Sequence, residues 1–351
     1  MCLMPNELPT ALERCFKAFK KLATVGIVAN PSAGKDVRRF VSAASPHSDR
    51  NKVEILKRCI IGSIDAGAER VLLAPDYRKL TSRALQDLNL GDKITELNFE
   101  PEGKREDTTE VARLFKKEGV KTLISLGGDG TQRDVVKGWL DAPLLPISTG
   151  TNNVFPFMVD STIAGTAAGL VASGKVRLDA VSHQAKVIHV ELSEKNMDLA
   201  LVDVVLVDQW VTGSRAVIDP DSVKQVIASI ADPASVGLSS IAGRSNPVFF
   251  SDDRGVVVTC DPLAESRVNV PIMPGFVSDV GVLMTKEIKL GETFELIGPG
   301  VIAFDGERDF VMSENEVAKI FLNRDGPHVI NPISAVRTAA ANKVFIRKRN
   351  T

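Results

Sequence analysis

Gly127-Gly128-Asp129-Gly130-Thr131 follows directly on the apolar run Leu123-Ile124-Ser125-Leu126, and helical spacing resumes at Val135, Val136, Trp139 and Leu140. A strand that enters a helix through three glycines lets backbone approach a bound phosphate closely. The helix start then offers unpaired amides and the positive end of its dipole. Asp129 in such a turn can hold Mg2+ or accept a hydroxyl proton. Taken alone, the pentad is equally a tight turn with an N-capping Asp or Thr. Its place after a strand, and its companions, favour the phosphate site.

Those companions are three. Asn30-Pro31-Ser32-Ala33-Gly34-Lys35 closes the first apolar run, offering small residues and, in Lys35, a mobile cation for phosphate oxygens. It lacks the G-x-x-x-x-G-K-[ST] spacing of a Walker A loop, and no G-x-G-x-x-G stands there, which makes a dehydrogenase the weakest reading. Ser148-Thr149-Gly150-Thr151-Asn152-Asn153 sets small and amide side chains after a later strand. Phe304-Asp305-Gly306-Glu307 sets two carboxylates around a glycine, which by itself is an ordinary turn.

Such loops need a scaffold that gathers strand ends. Apolar runs at 24–29, 69–74, 93–99, 121–126 and 143–147 alternate with helical patterns at 52–66, 78–88 and 107–119. This alternation predicts βαβ crossovers, a mainly parallel sheet, and a ligand crevice at the carboxyl ends of its strands. From 176 the texture changes. Strand-like runs at 185–192, 198–207, 256–260, 267–273, 293–296 and 317–322 are separated by Gly, Pro and Asp turns, with one helical pattern at 220–230. That predicts an antiparallel, sandwich-like second domain. The chain thus divides into an α/β nucleotide-binding domain at 1–175, a β-rich domain at 176–330, and a segment at 331–351 expected to return to the first domain. Leu8, Ala11, Leu12, Cys15, Phe16, Phe19 and Leu22 predict an N-terminal amphipathic helix docked on that domain. Arg347-Lys348-Arg349 reads as a solvated basic tail.

The chain's 351 residues, 44% of them hydrophobic, suffice for two cores. A net charge of -1 gives no basic surplus for nucleic acid or an anionic membrane. No apolar run approaches the ~20 residues of a membrane-spanning helix, and the N-terminus has no secretory order. We therefore expect no nucleic-acid partner, no stable membrane association and a cytoplasmic setting. Cys2, Cys15, Cys59 and Cys260, with His47, His183, His189 and His328, show no metal-ligand spacing.

Taken in order, the four segments resemble the NAD kinase, diacylglycerol kinase and sphingosine kinase superfamily, from Val25 to about Glu307. V-G-I-V-A-N-P-S-A-G-K-D, L-G-G-D-G-T and S-T-G-T-N-N-V-F are most similar to its AcoX-type branch, which is ATP-NAD kinase-like and linked with acetoin catabolism. The resemblance implies an NAD kinase-like fold, an α/β domain followed by a β-rich sandwich-like domain, with the active site between them. It implies ATP and Mg2+ as cofactors, and phosphorylation of a hydroxyl on a small-molecule substrate, NAD or a related metabolite. Homo-oligomers are common among such relatives.

Carried over residue by residue, the resemblance makes Asp129 or Glu307 the catalytic base, with Asp129 favoured and also the metal ligand. Asn30, Ser32, Gly34, Lys35, Gly127, Gly128, Gly130, Thr131, Thr151, Asn152 and Asn153 become nucleotide-binding, and Asp203 and Asp305 acceptor-binding. Two departures bear on the acceptor. The Asn-Glu pair of NAD kinases falls at Val202 and Asp203, and their S-T-P-T-G-S-T motif has only a loose counterpart at 237–243. Lipid kinases match better at Asp305-Gly306-Glu307 but carry Asp where this chain has Asn153. A lipid kinase and a non-catalytic nucleotide-binding regulator are the alternatives. Lys35 and Arg133 are candidate phosphate partners, with surface charge the better reading for Arg133; Trp139 reads as core, and Thr108, a candidate nucleotide contact, reads better as part of a helix start.

Overall fold

The computed structural model describes residues 22–33, 48–86, 88–149, 152–193, 196–208 and 219–346. Residues 8–19 of the predicted N-terminal helix and the basic tail lie outside them. The first sheet contains β1 (Thr24–Ala29), β2 (Arg70–Leu73), β3 (Ile94–Glu96), β4 (Thr122–Gly127), β5 (Pro143–Ser148) and β6 (Ser182–Gln184). Every residue of β1 and β4 is buried, as befits strands covered by helices on both faces. The covering helices are α1 (Asp49–Ala66), α2 (Leu80–Leu85), α3 (Glu106–Lys117), α4 (Asp129–Gly138) and α5 (Ser161–Ala172), followed by the single turn α6 (Leu178–Val181).

Local chemistry sets the helix ends. Ser48 caps α1 by accepting from the Asn51 amide at 3.2 Å, and Gly67 closes it in the left-handed region at φ 119°. α5, which the sequence reading passed over, is built from Ala and Gly because α1 lies almost on its backbone. A Cβ on Gly165 would stand 2.3 Å from the Cys59 carbonyl.

The second domain contributes β7 (Val187–Ser193), β8 (Asn196–Ala200), β9 (Asp203–Val207), β10 (Val223–Ala228), β11 (Arg254–Cys260), β12 (Arg267–Met273), β13 (Phe276–Lys289), β14 (Thr293–Ile297), β15 (Gly300–Phe304), β16 (Glu307–Met312) and β17 (Val317–Asn323). They form a seven-stranded sheet ordered β12-β13-β11-β10-β9-β15-β16 and a four-stranded sheet ordered β14-β17-β7-β8. Ile188, Val190, Ile320 and Leu322 of the smaller sheet meet Val204, Leu206, Ile227 and Val257 of the larger in one core. The pairings are antiparallel throughout. An α/β domain with a mostly parallel sheet is therefore followed by antiparallel, β-rich sheets. α7 (Ser239–Ser245) covers the other face of the larger sheet.

β18 (His328–Ile330) then joins the first sheet, pairing parallel with β5 and antiparallel with β6. The order becomes β3-β2-β1-β4-β5-β18-β6. α8 (Pro332–Ala341) buries Ala335 and Ala339 in the same core as α1 and α5.

Two sequence readings are corrected. The helical pattern at 220–230 is a 3-10 turn, Pro220–Ser222, followed by β10. Val226 and Ile227 are fully buried on opposite faces of a central strand, where β-branched residues fit better than on a helix. The run at 198–207 is two strands broken at Leu201-Val202, where Asp305 takes the backbone amides. Among the described residues no helix is long and apolar enough to cross a membrane.

Candidate active site

β1, β4 and β5 are neighbours in the sheet, so their carboxyl-terminal loops share one edge. The chain leaves β1 toward β2 on one side and leaves β4 toward β5 on the other, which opens a crevice between β1 and β4. Hydrogen bonds stitch the three loops together there. The Asn30 amide donates to the Leu126 carbonyl at 3.0 Å, and Asn30 Nδ2 donates to Thr131 Oγ1 at 3.0 Å. Thr149 N donates to the Gly127 carbonyl at 3.4 Å, and Asn153 Nδ2 to Ser148 Oγ at 2.8 Å.

The first loop is shaped from beneath by Lys52. This side chain is 1% exposed, and its Nζ donates to the carbonyls of Asn30, Pro31 and Ala33 at 3.1, 2.8 and 2.7 Å. Three carbonyls drawn toward one buried ammonium fix the course of the loop backbone. Tyr77 supports the loop from the side, its hydroxyl 2.8 Å from Ser32 Oγ.

Asp129 opens α4 and points to the third loop. Its Oδ1 and Oδ2 both accept from the Val154 amide at 3.1 Å, and Oδ1 accepts from Phe155 at 2.8 Å. The glycines around it are sites of close approach. A Cβ on Gly128 would stand 2.8 Å from Asn153 Oδ1, and one on Gly130 would stand 2.8 Å from Glu307 Oε1.

Glu307 arrives from the second domain. Asp305 and Gly306, at φ 49° and 82°, form the two-residue turn between β15 and β16, a conformation that Asp-Gly suits. The Asp305 carboxylate is buried and accepts from the amides of Leu201, Val202 and Asp203 at 2.8–3.2 Å. Burial pushes its pKa up, against those amides and the nearby Arg133. Asp203, 5% exposed, is tied to the same turn through its carbonyl, which accepts from the Asp305 amide at 3.0 Å. The two residues expected to bind the acceptor therefore build the corner that delivers Glu307. The reason is geometric: the break between β8 and β9 leaves the amides of Leu201, Val202 and Asp203 pointing at one place, and the Asp305 carboxylate accepts all three.

Three residues join this corner to α4. Arg133 is fully buried, which overturns its reading as surface charge. Its Nε donates to the Leu199 carbonyl and Nη2 to Asp198 Oδ2, each at 2.7 Å, and its guanidinium lies 4.5 Å over the Phe304 ring. Burial pushes the Asp198 carboxyl up, but Arg133 and Lys137 more than offset this and hold it below its usual range. Arg105 donates from Nε to Asp134 Oδ1 at 2.8 Å and lies 2.6 Å from Glu307 Oε2 through Nη1. Asp134, 4% exposed, is pushed up to about 7, chiefly by burial and against the pull of Arg105.

The structure thus brings Asn30, Ser32, Gly127, Gly128, Asp129, Gly130, Thr131, Asn153 and Glu307 to one edge. Asn152 lies in the third loop, while Gly34, Lys35 and Thr151 fall outside the described residues. Trp139 is core, and Thr108 is buried inside α3. Sequence reasoning missed Lys52, Arg105 and Asp134. For Lys52 one signal existed: it shares the buried stripe of α1 with Val53, Leu56, Cys59 and Ile60. Among the described residues no three His, Cys, Asp or Glu side chains converge as a metal cage. Mg2+ carried on nucleotide phosphates needs only one or two protein carboxylates, a requirement this edge meets.

Comparison with known proteins assigns both parts of the chain. Residues 25–176 match the ATP-NAD kinase N-terminal domain, and residues 186–325 match the Acetoin catabolism protein X C-terminal domain. Acetoin catabolism protein X of Cupriavidus necator is 32% identical over 336 residues, covering 92% of this chain and 93% of that protein. Two solved structures of a protein assigned as a diacylglycerol kinase from Bacillus anthracis str. Sterne are 15% and 14% identical, with TM-scores of 0.43 and 0.44. They cover 89% and 90% of this chain and 100% and 99% of their own.

Proposed function

The chain belongs to the acetoin catabolism protein X family, and from that premise we propose that it is an ATP-dependent kinase of a small-molecule hydroxyl. The proposed acceptor is NAD or a related metabolite, and the family name extends the proposal to acetoin catabolism in the cytoplasm. The match of residues 25–176 to an ATP-NAD kinase domain supports the nucleotide side. The observation that carries the reading is the meeting of three small-residue loops with Glu307, which stands against Gly130.

In this reading, the amides of Gly128–Thr131 at the start of α4 cradle the ATP phosphates, and the Asn30–Ser32 loop, whose Asn30 and Ser32 amides are taken by the Leu126 carbonyl and Asn30 Oδ1, borders them. Asp129 would be the carboxylate beside Mg2+, and the ion would supply neutralisation of the developing charge. Positioning and electrostatics supply most of the acceleration, as in other phosphoryl transfers. We assign the base to Glu307. Asp129 already holds the Val154 and Phe155 amides, and its part is to fix the third loop over the helix start. Glu307 is 38% exposed and reaches the cleft on a side chain that can rotate.

ATP consumption by the purified chain tests this, with Mg2+ and NAD, NADH, a diacylglycerol or a mixed metabolite extract as acceptor. Turnover with one acceptor, abolished in Glu307→Gln, is the expected result. Turnover only with diacylglycerol would move the acceptor to lipid. Measurable ATP binding without turnover for any acceptor would replace the kinase with a nucleotide-binding regulator.

A further inference from the structure

Asp134 is a buried carboxylate that the reaction above does not use. It stands on α4 beyond the phosphate loop, with a side chain 6% exposed. The groups that face it are Arg105, just before α3, Arg133 on its own helix, and Glu307 from the second domain. Arg105 is the one that touches it. A single guanidinium therefore rests on a buried carboxylate at 2.8 Å and holds Glu307 at 2.6 Å.

Exposure differs along this chain of contacts. Asp134 is enclosed at 6%, while the Arg105 and Glu307 side chains are 30% and 38% exposed. The anchor is fixed and the far contact can be exchanged. A guanidinium presents several donors in one rigid plane, so Nη1 can change partner while Nε stays on Asp134. The group suited to draw it away is a phosphoryl oxygen, which competes with the Glu307 carboxylate as a charge-assisted acceptor and belongs to a group that brings more negative charge.

We propose that Arg105, anchored by Asp134, is a γ-phosphoryl-responsive positioning residue for Glu307. In the empty cleft it pairs with Glu307 across the two domains. When ATP enters, Nη1 turns to the γ-phosphoryl group and releases the Glu307 carboxylate. The acceptor oxygen then bonds to the γ-phosphorus as the bridging P–O bond breaks. ADP leaves with that electron pair, and the hydroxyl proton passes to Glu307. The proposal rests on the kinase reading and adds to it a determinant that distinguishes ATP from ADP.

Binding alone tests it, with no acceptor needed. AMP-PNP and ADP, each with Mg2+, are titrated calorimetrically into wild type, Arg105→Gln, Arg105→Lys, Asp134→Asn and Glu307→Gln. Arg105→Gln is expected to weaken AMP-PNP about 10- to 100-fold, the scale of a charge-assisted bond, and ADP less than about threefold. Asp134→Asn should lose part of the same discrimination, and Arg105→Lys should recover part of it. Glu307→Gln removes the competitor and should tighten AMP-PNP. Retained ADP affinity shows that each variant keeps a folded cleft. Equal loss for both nucleotides, or none for either in a chain that binds both, overturns the proposal while leaving the kinase reading intact. A wild-type chain that binds neither overturns both.

Discussion

Lys52→Met isolates the contribution of the first loop's support. The ammonium donates to three carbonyls, of which the bond to Pro31 is buried and those to Asn30 and Ala33 are partly buried. Removing it leaves one carbonyl without access to water, at about 1–3 kcal/mol, while the other two can rehydrate at little expense. The methionine stem fills most of the space, and the variant also escapes the cost of burying an ammonium, which is several kcal/mol. Three charge-assisted bonds, at about 1.5–3 kcal/mol each, are lost against that gain, so the net loss of stability is modest, about 1–3 kcal/mol by urea denaturation. The loss of ATP affinity should be larger than so small a change suggests, about tenfold or more, because the loop no longer keeps one course beside the phosphate site. Lys52→Arg should fall between, since a planar fork cannot converge on three carbonyls as an ammonium does. Calorimetric titration of ATP, paired with denaturation of the same samples, reads both quantities. ATP affinity within twofold of wild type, alongside the lost stability, would show that the loop takes no part in nucleotide binding.

Gly130→Ala places a Cβ 2.8 Å from Glu307 Oε1, so Glu307 must move; turnover should fall about 100-fold, a usual effect of misplacing a catalytic group by about an ångström, with ADP affinity nearly kept. Arg133→Met leaves the Leu199 carbonyl without its donor and Asp198 with Lys137 as its remaining cation; urea denaturation should show a loss of about 1–3 kcal/mol. Asp134 gives a pH signature. Its folded pKa is about 7 against an ordinary 3.8, so between those values the folded chain keeps a proton that the unfolded chain has released. Stability should therefore fall as pH rises from about 4 to 7, by up to about 4 kcal/mol, and Asp134→Asn should flatten that slope.

The loops at the carboxyl ends of β1, β4 and β5 were legible because their signal is local: small residues at the end of an apolar strand. The parallel strands were legible for the same reason, since burial on both faces leaves an unbroken apolar run. What failed depends on distant partners. Nothing near Arg133 in sequence announces Asp198 or the Phe304 ring, and an arginine between Gln132 and Asp134 looks solvated until a second domain covers it. The pattern at 220–230 was ambiguous because Val223, Val226 and Ile227 satisfy a helical period as well as a strand's. Only the sheet on either side of β10 decides for the strand. The contacts of Asp305 were not legible in its motif, because they are made with amides at 201–203, about a hundred residues away.

The cleft carries more carboxylates than the proposed phosphoryl transfer would use, and the way each is held sorts them. Asp305 accepts three backbone amides and is buried. Asp134 is enclosed and holds a guanidinium. Asp129 accepts two amides of the third loop. A base has to come within hydrogen-bond reach of the acceptor's hydroxyl. For Asp129 or Asp305 that would mean giving up backbone amides that define a loop or a strand corner. Glu307 can do it by rotating a side chain and exchanging one partner, Arg105. The triplet Asp305-Gly306-Glu307 thus divides its labour. The first two residues make the turn, and the turn presents the third opposite a glycine that leaves room for it.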